Sequence, residues 1–158
     1  MLFRSGEVHL ARGKNAEAAE FFMAAIIPAS EGTAPPLPVL TNVVLNLARL
    51  RQSERKWVDA EDYFQELQKL ASLQRNPQLK VFAIEQLAQT QYEQGKVSDA
   101  LESWHAGASV AEKLELPLQR QGILERLLGH YVRVGDSIKS RHVEQQLAAV
   151  GQSIRSET

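Results

Sequence analysis

The 158-residue sequence has no cysteine. That excludes a disulfide framework, a thiolate metal site and a cysteine nucleophile. Neither sign of charge dominates: 18 Lys and Arg stand against 19 Asp and Glu, a net charge of −1. The chain therefore has no electrostatic footprint for nucleic acid. Its two methionines, Met1 and Met23, are too few for a pliable Met-lined groove. No apolar run approaches the ~20 residues that span a bilayer, and Met1-Leu2-Phe3-Arg4-Ser5 lacks the basic-then-apolar layout of a signal peptide. A cytoplasmic location without membrane association is the expectation. The remainder, 44% hydrophobic and 23% charged, is the composition of one globular domain with a core.

The sequence repeats itself. Gly95 and Gly135 are 40 residues apart, as are Pro77 and Pro117. One step back from Gly95 lies Arg55, and Gly13 stands 42 residues before that. Five residues after these turns come Ala18, Ala60 and Ala100, and four further on Phe22, Phe64 and Trp104. Upstream of each turn the pattern is Val44-x-x-Leu47-Ala48, Ile84-x-x-Leu87-Ala88 and Leu124-x-x-Leu127-Leu128. Glycine at a helix end closes it through positive φ. Glu17, Asp59 and Asp99 then lie near the next helix N-terminus, where a carboxylate is favoured by the dipole. The alanines let two helices approach closely, and the aromatics fill the space one turn on. Asn76-Pro77 and Leu116-Pro117 separate successive repeats. The pattern predicts helices at 2–12, 16–27, 38–53, 57–73, 79–94, 97–114, 118–134 and 137–152, with Pro28 to Pro38 as the longest connection.

At these residues the chain resembles the tetratricopeptide repeat family. The resemblance covers about Gly6 to Val150. It implies an all-α fold, a right-handed α-α superhelix of about four helix-turn-helix repeats at 1–36, 37–76, 77–116 and 117–152, followed by a flexible tail at 153–158. The step is longer than the usual ~34 residues and resembles the longer-helix variant of kinesin light chains and bacterial peptide-sensing regulators. Arg55 departs from the pattern by replacing the turn glycine. Ser140 and Glu144 depart from it by replacing the alanine and aromatic of the other repeats. The register puts Met1 partway into a first helix, so further repeats are expected to precede Gly6.

Residues that could carry chemistry are sparse. His9, His105, His130 and His142 form no recognised metal motif and read as surface or partly buried side chains. No phosphate loop, nucleophile elbow or His-Glu-x-x-His sequence is present, and neither a cofactor nor an enzymatic activity is expected. Asp59, Glu61, Asp62 and Glu66 read as a solvated face, and so does the basic run Arg49, Arg51, Arg55 and Lys56. Trp57 and Trp104 fall at packing positions.

The resemblance implies that the first helix of each repeat lines a concave face. The positions offset from the packing residues then define a candidate peptide-binding groove: Asn42, Asn46 and Arg49, then Phe82, Gln86, Gln89 and Tyr92, then Arg126 and Arg133. Leu45, Gln52, Glu85, Glu93, Glu125, Gly129 and Val132 share the register. Amides can both donate to and accept from a peptide backbone, arginine can grip a carboxylate at two points, and aromatics supply contact area. The lysine and asparagine pattern of chaperone-binding relatives is not reproduced. The expected function is a non-enzymatic scaffold that binds a protein segment. Two alternatives are a regulatory segment of a larger bacterial signalling or transcription protein, and a homodimer formed through Ile138, Val143, Leu147, Val150 and Ile154 of the last helix.

Overall fold

The computed structural model describes residues 36–157. The first expected repeat, with helices at 2–12 and 16–27, the turn at Gly13 and most of the 28–38 connection, lies outside them. The described residues form six α-helices and no strand: α1 Leu37–Ser53, α2 Trp57–Leu73, α3 Pro77–Glu93, α4 Val97–Lys113, α5 Pro117–Val134 and α6 Ser137–Ser156. They divide into two compact units that meet at Asn76 and Pro77.

In the first unit α1 and α2 pack as a helix pair. Val44, Leu47 and Ala48 of α1 and Ala60, Phe64 and Leu67 of α2 are buried. Gln74 ties the end of α2 to Thr41 of α1 by a side-chain hydrogen bond. Arg51 and Lys56 of the basic run both pair with Glu54, at 2.9 and 3.1 Å. Burial raises the Glu54 carboxyl, but hydrogen bonds from Lys56 and Arg51 outweigh it and leave the group below its ordinary value.

The second unit holds two such pairs, α3 with α4 and α5 with α6, joined through α4 and α5. Ile84, Leu87, Ala88, Leu124 and Leu127 are buried as the pattern requires, with Leu128 half-buried. Trp104 and Ala100 of α4 lie in the same core. Ser140 is buried at the small-residue position of α6, donating from its hydroxyl to the Asp136 carbonyl at 2.8 Å. The last repeat thus keeps close approach without alanine. Glu144, at the aromatic position, is exposed.

Three boundaries differ from expectation. Helices α3 and α5 begin at Pro77 and Pro117 rather than after them, because a missing N–H costs nothing in the first turn. The expected flexible tail at 153–158 is helical as far as Ser156, because Ile154 packs against the core. The apolar residues of α6 assigned to a homodimer are largely spent inside the chain. Val143 and Val150 are buried, Leu147 and Ile154 pack beside them, and only Ile138 stands out, at 83% exposure.

Five helix ends share one geometry. Arg55, Arg75, Gly95, Glu115 and Gly135, spaced 20 residues apart, have φ of 59°, 53°, 81°, 55° and 75°. At each, the next residue's N–H reaches back five residues: Lys56 to Arg51, Asn76 to Ala71, Lys96 to Gln91, Leu116 to Ala111 and Asp136 to Tyr131, at 2.8–3.0 Å. This is the Schellman closure. Two of the five positions carry glycine and three carry side chains in a conformation that costs an L-residue roughly 1–2 kcal/mol. Glu115→Gly should relieve most of that cost, partly offset by the freer unfolded chain. Its urea midpoint should rise by the equivalent of about 0.5–1 kcal/mol.

Candidate functional site

In the second unit α3 and α5 are the first helices of successive repeats. They touch through a row of polar side chains. The Arg126 guanidinium of α5 donates from Nε to Glu85 Oε1 at 2.9 Å and from Nη1 to Gln89 Oε1 at 2.7 Å. Gln89 in turn donates to Glu93 at 3.0 Å. At one end of the row Gln119 Nε2 donates to the Gln78 carbonyl at 2.9 Å. At the other end the Arg133 guanidinium lies over the Tyr92 ring, 5.5 Å from its centroid. These contacts follow the repeat step, because a residue and its equivalent one repeat on lie side by side.

Tyr92 is held from below. Its ring is 5.3 Å from that of buried Trp104 and meets His130 edge-on at 5.7 Å. Tyr92 Oη and His130 Nδ1 are 3.1 Å apart, a hydrogen bond whose direction follows the imidazole tautomer. A second pair, His105 Nε2 and Tyr131 Oη at 2.8 Å, links α4 to α5. Burial holds His130 below the ordinary imidazole value, and the Arg133 and Lys139 cations push the same way. His105 is lowered by desolvation first, then by Lys139 and His142.

Folding therefore biases both imidazoles, buried His130 and solvent-exposed His105, towards the neutral form, and the sign of the pH effect follows. Above the unfolded value of about 6.5 neither state carries the proton and their contribution is complete. As pH falls below it, the unfolded chain takes up protons first, so stability is lost towards the lowered folded values. Between about pH 7 and pH 5.5 the thermal midpoint should fall, and His105→Gln with His130→Gln should flatten the slope in that window.

The structure brings Gln89, Tyr92, Arg126 and Arg133 into one row. Phe82 and Gln86 lie half-buried on the same helix, α3. Asn42 and Arg49 are exposed and Asn46 half-buried on α1, in the first unit. Arg126, read as free to grip a carboxylate, already spends two donors on α3. Glu85 shares the face by register, and its role is to anchor that arginine.

His130 was missed as a supporting residue, although a signal existed. The equivalent positions one and two repeats earlier are Thr90 and Leu50, and all three are buried. Among the described residues no three His, Asp or Glu side chains gather as a metal site. No helix there is long and apolar enough to cross a membrane.

No protein-family model matches the sequence, and neither does any curated protein. Solved structures do share the fold. BtubC (BKLC) from P. vanneervenii matches with a TM-score of 0.75 at 17% identity, over 98% of this chain and 63% of that one. Aspartyl phosphate phosphatase F from Bacillus subtilis matches with a TM-score of 0.76 at 16% identity, over 97% of this chain and 40% of that one. The class of fold is an all-α helical-repeat solenoid of the tetratricopeptide-like kind. The chain spans less than two thirds of the length of either neighbour.

Proposed function

We propose that the chain is a non-enzymatic interaction module and that the α3/α5 face binds a protein segment. The row Glu85–Arg126–Gln89–Glu93, ending in the Tyr92–Arg133 stack, carries this reading. It holds long polar side chains and an aromatic in fixed positions on the solvent side of two adjacent helices, so less side-chain entropy is lost when a partner docks. Arg126 retains N–H donors beyond the two it uses, and Tyr92 and Phe82 supply apolar area. The same register positions on α1 carry Asn42, Asn46 and Arg49, amide and cationic groups of the same kind. Gln89→Ala, Arg126→Ala and Arg133→Ala together should abolish capture of a protein partner from lysate while leaving the circular dichroism spectrum unchanged. Capture equal to the unmodified chain would remove this face as the site.

A second reading is a regulatory segment of a larger signalling protein. The likeness to a B. subtilis aspartyl phosphate phosphatase, of which this chain covers 40%, favours it. It uses the same face, and a partner identified as a phosphorylated signalling protein or its regulator would support it.

A further inference from the structure

Helix α5 contains two interior glycines, Gly122 and Gly129, and a Cβ built on either would meet nothing within 4 Å. Packing among the described residues gives no reason for them, although glycine is the poorest helix former after proline. They stand two turns apart on the solvent side of α5, in line with Leu118, Glu125 and Val132. Leu118 and Val132 are 70% and 62% exposed. Glu125 is exposed, and its carboxylate has no partner among the described residues.

The stripe is nearly the same read from either end. About the midpoint between Glu125 and Arg126, Gly122 mirrors Gly129, Glu125 mirrors Arg126, and Leu118 falls within one residue of the mirror of Val132. Two copies of α5 laid antiparallel would set glycine against glycine, where absent side chains let the backbones close up. Each Glu125 would meet the other copy's Arg126, and each Leu118 the other copy's Val132. A two-fold interface requires this self-complementarity, since residue i meets j and j meets i. Arg126 uses Nε and Nη1 on α3, so its Nη2 donors remain for the incoming carboxylate.

We propose that the partner seated on this face is a second copy of the chain, paired antiparallel through α5. The inference rests on reading the α3/α5 face as an interaction surface.

The cysteine-free background makes a direct test clean. Oxidised Gly122→Cys with Gly129→Cys, in the full chain, should yield a disulfide-linked dimer. Each single variant should not, because a residue and its own copy would be separated by about 10 Å along the antiparallel pair, beyond disulfide reach. By sedimentation equilibrium the unmodified chain should dimerise, and Glu125→Arg should raise the dissociation constant at least about tenfold by facing arginine with arginine. A monomer at about 300 µM, a concentration that populates even weak dimers, together with no cross-link, would overturn the proposal. Cross-linking by the single variants as efficient as by the pair would also overturn it. A chain that stays monomeric yet loses a foreign partner when Gln89, Arg126 and Arg133 become alanine would sink the dimer and leave the binding reading intact.

Discussion

Trp104→Ala should cost the second unit about 3–5 kcal/mol, the range for emptying a large aromatic from a core. Trp104 is buried in the cluster that also contains Val81, Ala100, Ile123 and Leu127, so the vacated space is lined on several sides by helices that cannot all collapse into it. The loss is a large part of the 5–15 kcal/mol that holds a typical domain together. It should also reach the α3/α5 face, because Trp104 supports the Tyr92 ring from 5.3 Å. Trp104→Phe is the control. The indole Nε1 is buried without a hydrogen-bond partner among the described residues, so phenylalanine gives up area but also removes an unsatisfied donor, and its cost should be about 1–2 kcal/mol. Urea unfolding of both variants measures the difference. Equal costs would mean that the indole is not filling the core.

Gly107→Leu should destabilise the same unit by about 1–3 kcal/mol or more through overpacking. A Cβ at Gly107 stands 3.0 Å from Ile84 Cγ2 and 3.2 Å from Ile123 Cδ1. The first atom of any side chain already presses on two isoleucine methyls, and a leucine has nowhere to put the rest. Gly107→Ala divides the effect. The squeeze falls on one mobile methyl, Ile123 Cδ1, and one held stiffly at its Cβ, Ile84 Cγ2; alanine returns about 1 kcal/mol of helix propensity to set against it, so that variant should stay within about 1 kcal/mol of the parent. Thermal unfolding that ranks glycine and alanine together, with leucine far below, is the expected result. A leucine variant as stable as the parent would show that the helices can separate at this point.

The repeat step alone places about half of the buried apolar core. Val44, Leu47, Ala48, Ala60, Phe64, Ile84, Leu87, Ala88, Ala100, Trp104, Leu124 and Leu127 all follow from a 40-residue phase, and all are buried. The turns were only half legible. Glycine announces Gly95 and Gly135, but Arg75 and Glu115 adopt the same left-handed conformation with only the prolines two residues on, Pro77 and Pro117, to mark the break. The six-residue closure and the packing of the flanking helices outweigh the local preference of an arginine or a glutamate there. The helical tail was illegible for a similar reason: polar residues surround Ile154, and only its contact with the core keeps the last turn.

On the α3/α5 face, register puts Glu85, Gln89, Tyr92 and Glu93 on one side of the helix, since residues three and four apart share a helix side. It could not say that Arg126 is already committed to α3, or that a buried histidine holds Tyr92, because those facts depend on distances between different helices.

The periodic spacing of apolar, small and aromatic residues thus determined by itself that this chain forms paired helices and which sides they bury, because burial follows the helical period. Which polar groups find one another, which left-handed turns tolerate a side chain, and which glycines of α5 face open solvent were decided only by tertiary structure. Those outcomes depend on the distance and angle between helices, which no single helix encodes.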